Sequence, residues 1–401
     1  MSKIKIILLI VAVAGLPLSA GAQGNATNSP YSRYAYGMLS DHSIAGGHAM
    51  GGIGYGLQVP GQINTLNPAS YAAVDSLTFL FDLGVDFKMS RMKENGVKQK
   101  DYNGNIKNVN LLFPIGKQFA FSAGFMPVSA VGYEYGESDG SKQYSGSGGL
   151  LHAYGGLAYN YKNFSVGANV GYLFGSIEHH AYSPIRDNAY TDTITIRPHD
   201  LIYTFGVQQK VSLNEKQFLI LGAAYSPKIN TTAKGTETRW NGGENTKNKS
   251  ISDYEWAQSI GLGASFQTQN KWLFGADVQW ENWKNAKFGG VANMLNDRWR
   301  YGAGLEYTPE FRSRSFFKRT KYRMGGYYTN SYITTDKGVK YDEVGVSAGL
   351  ALPVHNRSTL HLSFDYVNVL PSMAGKLSEN YFKFTLNYTF NETWFYKLRI
   401  Q

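Results

Sequence analysis

Three short patterns in this sequence match motifs that carry chemistry in other proteins. Residues 136–140 read GESDG and fit G-x-S-x-G, which holds a nucleophilic serine on a sharp turn between a strand and a helix. A polar stretch occupies the place of that helix, so we expect no catalytic serine. Residues 178–180 read EHH and offer metal-ligand atoms, but adjacent histidines in an outer loop are more often solvated.

The third pattern is a pair of glycines two residues apart, at Gly261 and Gly263 and again at Gly302 and Gly304. A dinucleotide-binding loop needs a third glycine three residues later, and both stretches have an aromatic residue there. Small residues on the inward face of a strand explain both pairs. We therefore expect a protein that is not an enzyme, with no catalytic residues, no metal and no cofactor.

The composition favours an all-β protein with aromatic faces. Of 401 residues, 45 are Gly, 29 are Tyr and 22 are Phe, and none is Cys. Charged residues make up 17% of the chain, against a usual share of about 25%. The missing cysteines exclude disulfides, thiolate metal sites and an acylated lipoprotein cysteine. The many aromatic residues exclude a disordered chain.

The N-terminus has the pattern of a secretory signal peptide, predicted over residues 1–22. Lys3 and Lys5 precede an apolar stretch over 6–18, and residues 20–22 read AGA, a small-x-small cleavage site. A spanning helix needs about 18 or more apolar residues, and no later stretch reaches that length without charges. The positive formal charge of +10 suits contact with anionic lipid, and export argues against nucleic acid as a partner.

The exported part alternates with the period of two that is typical of β-strands. From 78 to 90 the apolar side chains of Phe79, Phe81 and Leu83 begin one face, and mostly polar or small side chains form the other. Such a run exceeds the usual five or six residues of a soluble strand and fits a strand of about 9–11 residues crossing a bilayer at a tilt. The pattern recurs near 164–175, 272–280, 298–307, 343–352, 360–367 and 382–390.

The connections between these strands alternate between short turns and long polar loops. The long ones lie near 91–104, 129–145, 176–198, 228–253, 283–297, 330–341 and 368–379. Short turns on one side and long loops on the other are typical of an outer-membrane barrel, with the turns in the periplasm. The sequence therefore predicts an all-β fold, a transmembrane antiparallel β-barrel of about 14 strands over residues 76–390.

Residues 23–75 do not fit the strand series. They are too rich in glycine for a stable helical domain and too apolar for a free tail. A 14-stranded barrel has a lumen wider than its own side chains fill, so we predict that this segment, the N-terminal hatch, plugs the lumen. Residues 391–401 extend past the last predicted strand and are expected to form a periplasmic C-terminal tail.

Three features resemble the FadL/TodX family of outer-membrane transporters for long-chain fatty acids and other hydrophobic compounds. They are the sequence NPAS at 67–70 before the first strand, the sequence GFMP at 124–127 within the third strand, and the ending FTLNYTF at 384–390. The resemblance implies a hatch that contains Asn67, Pro68, Ala69 and Ser70. An ordinary entry turn at these residues is the alternative.

The resemblance also implies a kinked third strand that opens a lateral window in the wall at Phe125, Met126 and Pro127. Proline cannot donate to a strand ladder and belongs at an edge, a bulge or a break. A simple strand end at Pro127 is the alternative.

The first function that fits is passive uptake of hydrophobic small molecules such as long-chain fatty acids, through the hatch and the lateral opening. Sideways exit into lipid avoids a cost of about 0.8 kcal/mol for each CH₂ released into water. Arg298, Arg300 and Arg323 face inward in the predicted register and are candidates to bind a ligand carboxylate. Charge balance with the acidic residues Asp82, Asp86 and Glu306 is the alternative.

The second function belongs to another class: a non-transporting FadL-like subunit of an outer-membrane protein secretion or assembly machine. The basic connection at 308–321 would then dock a protein partner through Arg312, Arg314, Lys318 and Arg319. Both functions place the chain in the outer membrane of a Gram-negative bacterium, in contact with its lipid and lipopolysaccharide and with outer-membrane or periplasmic proteins as candidate partners. A barrel enzyme that acts on lipid is a third alternative.

Overall fold

The structure is a computed structural model that describes residues 26–393 except 44, 95, 137–139, 184–189, 242–243, 269–270, 336–337, 355–356 and 374–375. The signal peptide predicted over 1–22 lies outside the described residues. So do residues 394–401 of the predicted tail and the centre of the GESDG sequence.

The described chain contains 20 strands, one short α-helix and three short 3-10 helices. The strands are β1 (Met38–Leu39), β2 (Thr78–Glu94), β3 (Val97–Ile115), β4 (Phe119–Gly136), β5 (Gln143–Tyr161), β6 (Phe164–Ser183), β7 (Tyr190–Arg197), β8 (Asp200–Asn214), β9 (Gln217–Ser226), β10 (Ile229–Thr231), β11 (Lys234–Asn241), β12 (Glu244–Ile251), β13 (Tyr254–Trp256), β14 (Ser259–Thr268), β15 (Trp272–Glu281), β16 (Arg298–Tyr307), β17 (Lys321–Asn330), β18 (Tyr341–Pro353), β19 (Thr359–Pro371) and β20 (Ser378–Thr393). The α-helix is α1 (Phe316–Arg319), and the 3-10 helices are Pro30–Arg33, His48–Met50 and Pro68–Ala73. Within the described ranges, no helix is long and apolar enough to cross a membrane.

Fourteen of the strands close into an antiparallel barrel, which confirms the predicted fold. They follow chain order from β2 to β20, leaving out β1, β7 and β10 to β13, and β2 closes the ring by pairing with both β3 and β20. The last strand ends at Thr393, directly opposite Thr78. Residues 391–393 therefore belong to the wall, and the predicted boundary at 390 was three residues too early, because the ladder with β2 continues past Phe390.

The alternation along each strand separates an outer apolar face from an inner polar one. On β14, for example, Leu262 is 50% exposed whereas Ser265 is 3% exposed. The outer face carries aromatic clusters at both ends of β15. Trp272 lies 4.3 Å from Tyr307 between ring centres, and Trp280 lies 6.2 Å from Trp299. These clusters fit the two aromatic girdles of an outer-membrane barrel.

The wall is uneven in height. Strands β2 to β6 have 17, 19, 18, 19 and 20 residues, whereas β9 and β14 to β17 have 10 each. About 10 tilted residues span the apolar band of an outer membrane, so the long strands extend beyond it on one side. There β7 pairs with the upper part of β6, β11 pairs with β7, and β12 pairs with β11. These three strands lie within stretches that the sequence predicted as polar loops.

Candidate functional site

The described part of the hatch packs against the lumenal face of the wall, and its last turn contains the NPAS sequence. Pro68 begins a 3-10 helix that Asn67 caps, since its side-chain oxygen accepts a hydrogen bond from the Ala69 N–H at 3.1 Å. The Asn67 amide nitrogen donates to the backbone oxygens of Tyr55 at 2.9 Å and of Val207 on β8 at 3.1 Å. The turn therefore joins one part of the hatch to another and to the wall.

Inward glycines of the wall make room for the hatch. A Cβ at Gly206 on β8 would lie 2.1 Å from the side-chain oxygen of Asn67, and one at Gly222 on β9 would lie 1.9 Å from the backbone oxygen of Tyr55. The fourth residue of the NPAS sequence, Ser70, donates to the Asn64 backbone oxygen at 3.1 Å. Hatch and wall therefore touch at backbone distance, which a larger side chain would prevent.

A carboxylate of the wall binds the middle of the hatch. The Oδ2 atom of Asp277 on β15 accepts hydrogen bonds from the backbone N–H groups of Gly54 at 2.5 Å and Tyr55 at 2.8 Å. The wall thus provides the anionic acceptor for two adjacent N–H groups of the hatch. Asp277 was recognised in the sequence only as one of the inward polar residues of its strand.

Charged groups join the hatch to the wall near the centre of the lumen. The Asp41 carboxylate lies 3.3 Å from His48 Nδ1 and 3.5 Å from Arg300 on β16, and His48 Nε2 lies 3.1 Å from Asp365 on β19. Burial alone would raise the pKa of Asp41. Arg300, the hydrogen bond with His48 and the Lys107 ammonium outweigh burial and hold that pKa well below its usual value. This charge cluster was not found in the sequence.

The three arginines predicted to face inward are all paired. Arg298 lies 3.2 Å from Glu281, and Arg323 is held by Glu306 at 2.7 Å and by His361 at 2.8 Å. Of the acidic residues named for charge balance, Glu306 is therefore the one that pairs with an arginine of this set, Arg323.

The other two acidic residues named for charge balance have different partners. Asp82 accepts hydrogen bonds from Asn108, Asn387 and Thr389 at 2.6–3.0 Å. Asp86 lies 4.0 Å from Lys383. Asp82 therefore faces uncharged groups and Asp86 faces a lysine. The counter-charges of the three arginines are Glu281, Asp41 and Glu306.

Two small cavities lie between hatch and wall, with volumes of about 150 and 160 Å³. Arg298 and Arg300 line both cavities, together with Asp41, His42 and Met126. The structure thus brings two of the three candidate head-group arginines together. Arg323 lines neither cavity.

An aromatic cluster closes the lumen on the side of the long loops. Tyr36 of the hatch is fully buried, and its ring centre lies 5.3 Å from that of Trp256 and 5.7 Å from that of Trp283. Its hydroxyl donates to the Glu255 backbone oxygen at 3.0 Å, and the Tyr332 hydroxyl donates to that of Gly37 at 2.6 Å. Hatch and outer loops therefore form one packed unit.

The wall is open on one edge of the third barrel strand. Strands β3 and β4 pair from Ile115, opposite Phe119, only as far as Val109, opposite Phe125. The strand itself is not interrupted, because β4 continues to Gly136 along β5 with a bulge between Pro127 and Ser129. Beyond Phe125 we call the space between β3 residues 97–108 and β4 residues 126–136 the wall gap.

The three residues predicted at a lateral opening lie where the wall gap begins. Phe125 makes the last pair with β3. Met126 is buried and its sulfur lies 3.2 Å from His42 Nδ1, while Pro127 lines one of the two cavities.

A family model described as BamG matches residues 1–401 of this sequence. The chain belongs to the BamG family. Its fold is similar to that of the toluene transporter TbuX of Ralstonia pickettii, with 13% identity, a TM-score of 0.64 and coverage of 90% of this chain and 98% of that one. A FadL homologue of Pseudomonas aeruginosa is 15% identical, with a TM-score of 0.63 and coverage of 88% of this chain and 99% of that one. The Pseudomonas putida toluene transporter TodX is 16% identical, with a TM-score of 0.62 and coverage of 90% of this chain and 100% of that one.

At these identities the likeness shows a shared barrel fold, so the FadL/TodX-like architecture expected of this BamG-family chain is confirmed. TbuX and TodX are described as toluene transporters. No curated protein matches the sequence.

The basic connection of this BamG-family barrel lies at the end where the short turns are. Its first N–H, at Thr308, donates to the Lys271 backbone oxygen of a neighbouring turn at 2.8 Å. The side chains of all four predicted docking residues are exposed: Arg312, Arg314, Lys318 and Arg319. Beside them Phe317 is 74% exposed. The connection thus presents a cationic and aromatic surface outside the wall.

Proposed function

We propose that this chain is a non-transporting, FadL-like subunit of an outer-membrane protein secretion or assembly machine in a Gram-negative bacterium. Its match over the whole chain is to the BamG family, whereas the transporters share only its fold at 13–16% identity. The observation that carries the proposal is the filled lumen.

The lumen offers little room for a hydrophobic cargo. Pockets for drug-sized ligands measure about 300–1,000 Å³, whereas the lumenal cavities here have only about 150 and 160 Å³, and Asp41, Arg298 and Arg300 are among the residues that line both. The aromatic cluster around Tyr36 covers the side of the long loops. A barrel so filled is suited to serve as a membrane-embedded scaffold.

The proposed docking surface is the basic connection, with Arg312, Arg314, Lys318 and Arg319 facing the periplasm. Four cations beside an exposed aromatic ring can bind an acidic, partly apolar surface, since Arg and aromatic residues dominate the energetics of protein interfaces. Outer-membrane or periplasmic proteins are the partners that this surface can reach.

The test is co-purification in mild detergent, with an affinity tag inserted at Gly338 and mass spectrometry of the bound proteins and lipids. A Cβ at Gly338 would meet nothing within 4 Å, so the tag should not disturb the fold. We expect stoichiometric partner proteins with the native chain and their loss after all four docking cations are changed to Gln.

The matched control changes four exposed cations at the other end of the barrel and outside the wall gap, Arg91, Lys93, Lys284 and Lys340, to Gln. It should retain the partners. Native preparations that contain lipid but no protein partner would contradict the proposal, and so would loss of partners in both variants.

Passive uptake of hydrophobic small molecules is the second candidate, and the wall gap beside Phe125, Met126 and Pro127 favours it. The toluene transporters TbuX and TodX have this fold, and Arg298 and Arg300 could bind the carboxylate of a long-chain fatty acid. In this proposal the NPAS turn, Asn67 to Ser70, acts as part of the gate.

Uptake is tested with radiolabelled oleate and toluene in cells that produce the native chain or Arg300→Gln. Transport predicts uptake above the level of cells without the protein and a several-fold decrease for oleate, but not toluene, in the variant. Equal uptake with and without the protein would contradict the transport proposal, and the subunit proposal would remain.

A further inference from the structure

The wall gap exposes two strand edges, and its lower end lies at the level of the membrane. The ten-residue strands β14 to β17 are long enough to span the apolar band, and the same count from Phe119 reaches Val128, beyond the last pair with β3. Backbone N–H and C=O groups within a membrane need hydrogen-bond partners. Because β3 and β4 do not pair there, the backbone N–H and C=O groups at the lower end of the wall gap need other hydrogen-bond partners.

On the β4 edge the hatch takes the place of the missing strand. We call residues 26–40 the seam segment. Its strand β1 pairs antiparallel with β4, with Met38 opposite Ala130 and Leu39 opposite Ser129. Next to this pairing, the Ser40 N–H donates to the Val128 backbone oxygen at 2.8 Å.

A serine side chain of the seam segment continues the hydrogen bonding along the β4 edge. The Ser32 hydroxyl accepts from the Gly132 N–H at 3.0 Å. Its one hydrogen is shared between the backbone oxygens of Ser29 at 2.7 Å and Gly132 at 3.0 Å. Close approach is possible because Gly37 has a φ of +84°, and a Cβ there would lie 2.5 Å from the Ala130 backbone oxygen. The β4 edge is thus bonded from Val128 to Gly132 by a segment that is not part of the wall.

The replacement is incomplete. On the β3 edge the contacts come from side chains: Asn105 donates to the Ala26 backbone oxygen at 2.9 Å, and Lys107 donates to that of Asp41 at 3.3 Å. The Ser129 hydroxyl is buried and has no partner among the described residues. On β3, the apolar side chain of Ile106 is 37% exposed and Tyr102 is 71% exposed.

We infer that the wall gap is a binding slot for an extended strand of a second polypeptide, which replaces the seam segment on β4. A ladder edge selects a strand because only another backbone supplies the alternating N–H and C=O groups, which an acyl chain lacks. The fitting strand alternates apolar residues toward lipid with small or polar residues toward the lumen, as β4 does with Phe121 outward and Ser122 inward. This inference rests on the proposed role as a subunit of a protein-handling machine and names its client, an outer-membrane β-strand.

The probe is a fluorescent peptide with the sequence of residues 378–393, an outer-membrane strand of this chain. A scrambled peptide of the same composition, without the alternation, serves as its control. Anisotropy measures binding of each peptide to the purified full-length protein in detergent. Because the chain has no cysteine, Leu39→Cys with Ser129→Cys introduces the only two thiols, and directly opposite residues have the spacing that a disulfide needs.

With the pair reduced, the strand peptide should bind as it does to the native protein. With the pair oxidised, the seam segment is fixed and binding should weaken by about tenfold or more, a change of about 1.4 kcal/mol. A second pair, Gln217→Cys with Thr268→Cys, joins opposite residues in the complete ladder of β9 and β14, and its oxidation should leave binding unchanged.

The variant Gly37→Val tests the opposite change, release of the seam segment from β4. Its side chain clashes with β4, so the seam segment should dissociate from that edge and the strand peptide should bind several-fold more tightly. The inference is overturned if the oxidised and reduced Leu39–Ser129 pairs bind the strand peptide equally, or if the scrambled peptide binds as well. These outcomes are independent of the co-purification result, because the assay contains no partner protein and does not involve the basic connection.

Discussion

The carboxylate of Asp277 on β15 accepts a hydrogen bond from the backbone N–H of Tyr55 at 2.8 Å. It accepts a second from the adjacent N–H of Gly54, so one wall residue fixes two consecutive amides of the hatch. Neighbouring wall side chains bond the same part of the hatch: Gln208 donates to the Tyr55 backbone oxygen at 3.0 Å, and Ser265 donates to that of Gly56 at 2.7 Å. Asp277 is the carboxylate among these groups, so its removal should weaken the attachment of this part of the hatch to the wall.

We predict that Asp277→Ala loosens the hatch without unfolding the barrel. Hydrogen bonds to a charged group contribute about 1.5–3 kcal/mol, so the free energy of opening the hatch should fall by about that amount. Hydrogen exchange followed by mass spectrometry should show faster exchange in peptides that cover 50–60 and unchanged exchange in β18 to β20. The control Asp342→Ala removes a half-buried carboxylate whose partner is another wall residue, the Tyr328 hydroxyl at 2.9 Å. Equal protection in both variants would contradict the assigned role of Asp277.

The buried pair of Glu306 and Arg323 predicts a strong non-additive effect on stability. Glu306→Gln leaves the Arg323 guanidinium, which is 4% exposed, without its counter-charge. Removing one member of a buried pair costs about 3–5 kcal/mol. The double change to Gln at both positions should recover most of that loss, measured as the urea midpoint of the detergent-solubilised barrel.

The surface pair of Lys318 and Glu310 is the matched comparison for that experiment. Its atoms lie 3.4 Å apart and both side chains are more than half exposed. Glu310→Gln should change stability by less than about 1 kcal/mol. A double variant at 306 and 323 as unstable as Glu306→Gln alone would mean that the pair does not act as a unit.

Attachment of the hatch should weaken as the pH falls below about 6.5, the usual pKa of histidine. Burial lowers the pKa of His42 below that value, so the folded state binds fewer protons than the unfolded state in this range, and stability decreases with decreasing pH. Asp41 has a lowered pKa and contributes loss only below about pH 4. Limited proteolysis of the hatch at pH 8, 6.5 and 5 should show the decline, and His42→Gln should flatten it.

Labelling of intact cells tests the orientation of the barrel. Tags at Gly338, in the connection between β17 and β18, and at Gly242 should be accessible from outside. A tag at Asn214, in a short turn, should be accessible only after lysis. Gly242 lies outside the described residues, so its accessibility is predicted from the sequence alone. Equal labelling at all three positions would contradict the assigned sides.

The barrel could be predicted from the sequence because its strands obey a simple physical rule. Phe79 and Phe81 face lipid while Asp82 faces the lumen, and a strand buried in this way must alternate. The hatch follows no such rule. Its shape depends on glycine contacts and on charges from distant strands, so nothing in the neighbouring sequence marked Asp41 or His48 as partners of Arg300 and Asp365.

The lateral opening at Phe125, Met126 and Pro127 stays a prediction, and the structure changes the reason given for it. Pro127 suggested a broken strand, whereas β4 is continuous and the loss of pairing lies on its β3 edge. The stretch VKQKDYNGNIKN at 97–108 lacks an apolar parity, which agrees with a strand that remains paired with β2 but extends beyond the apolar band of the membrane. Strands β11 and β12 were missed because they are mostly polar on both faces. Strand β7 was missed although Ile194 and Ile196 share one of its faces, because that apolar stretch is only two residues deep.

The uneven height of the wall makes the molecule directional in the plane of the membrane. At about 3.3 Å per residue and a tilt of about 40°, strands as long as β3 to β5 rise about 20 Å higher than strands such as β14 to β17. A soluble domain resting on the cell surface can therefore descend to the lipid only beside the low side. A domain that approaches from the side of the long strands β3 to β5 is blocked by the part of the wall that extends above the membrane. Any partner bound at the outer rim would thus be held at one angle about the membrane normal by steric exclusion alone, without a contact specific to that angle.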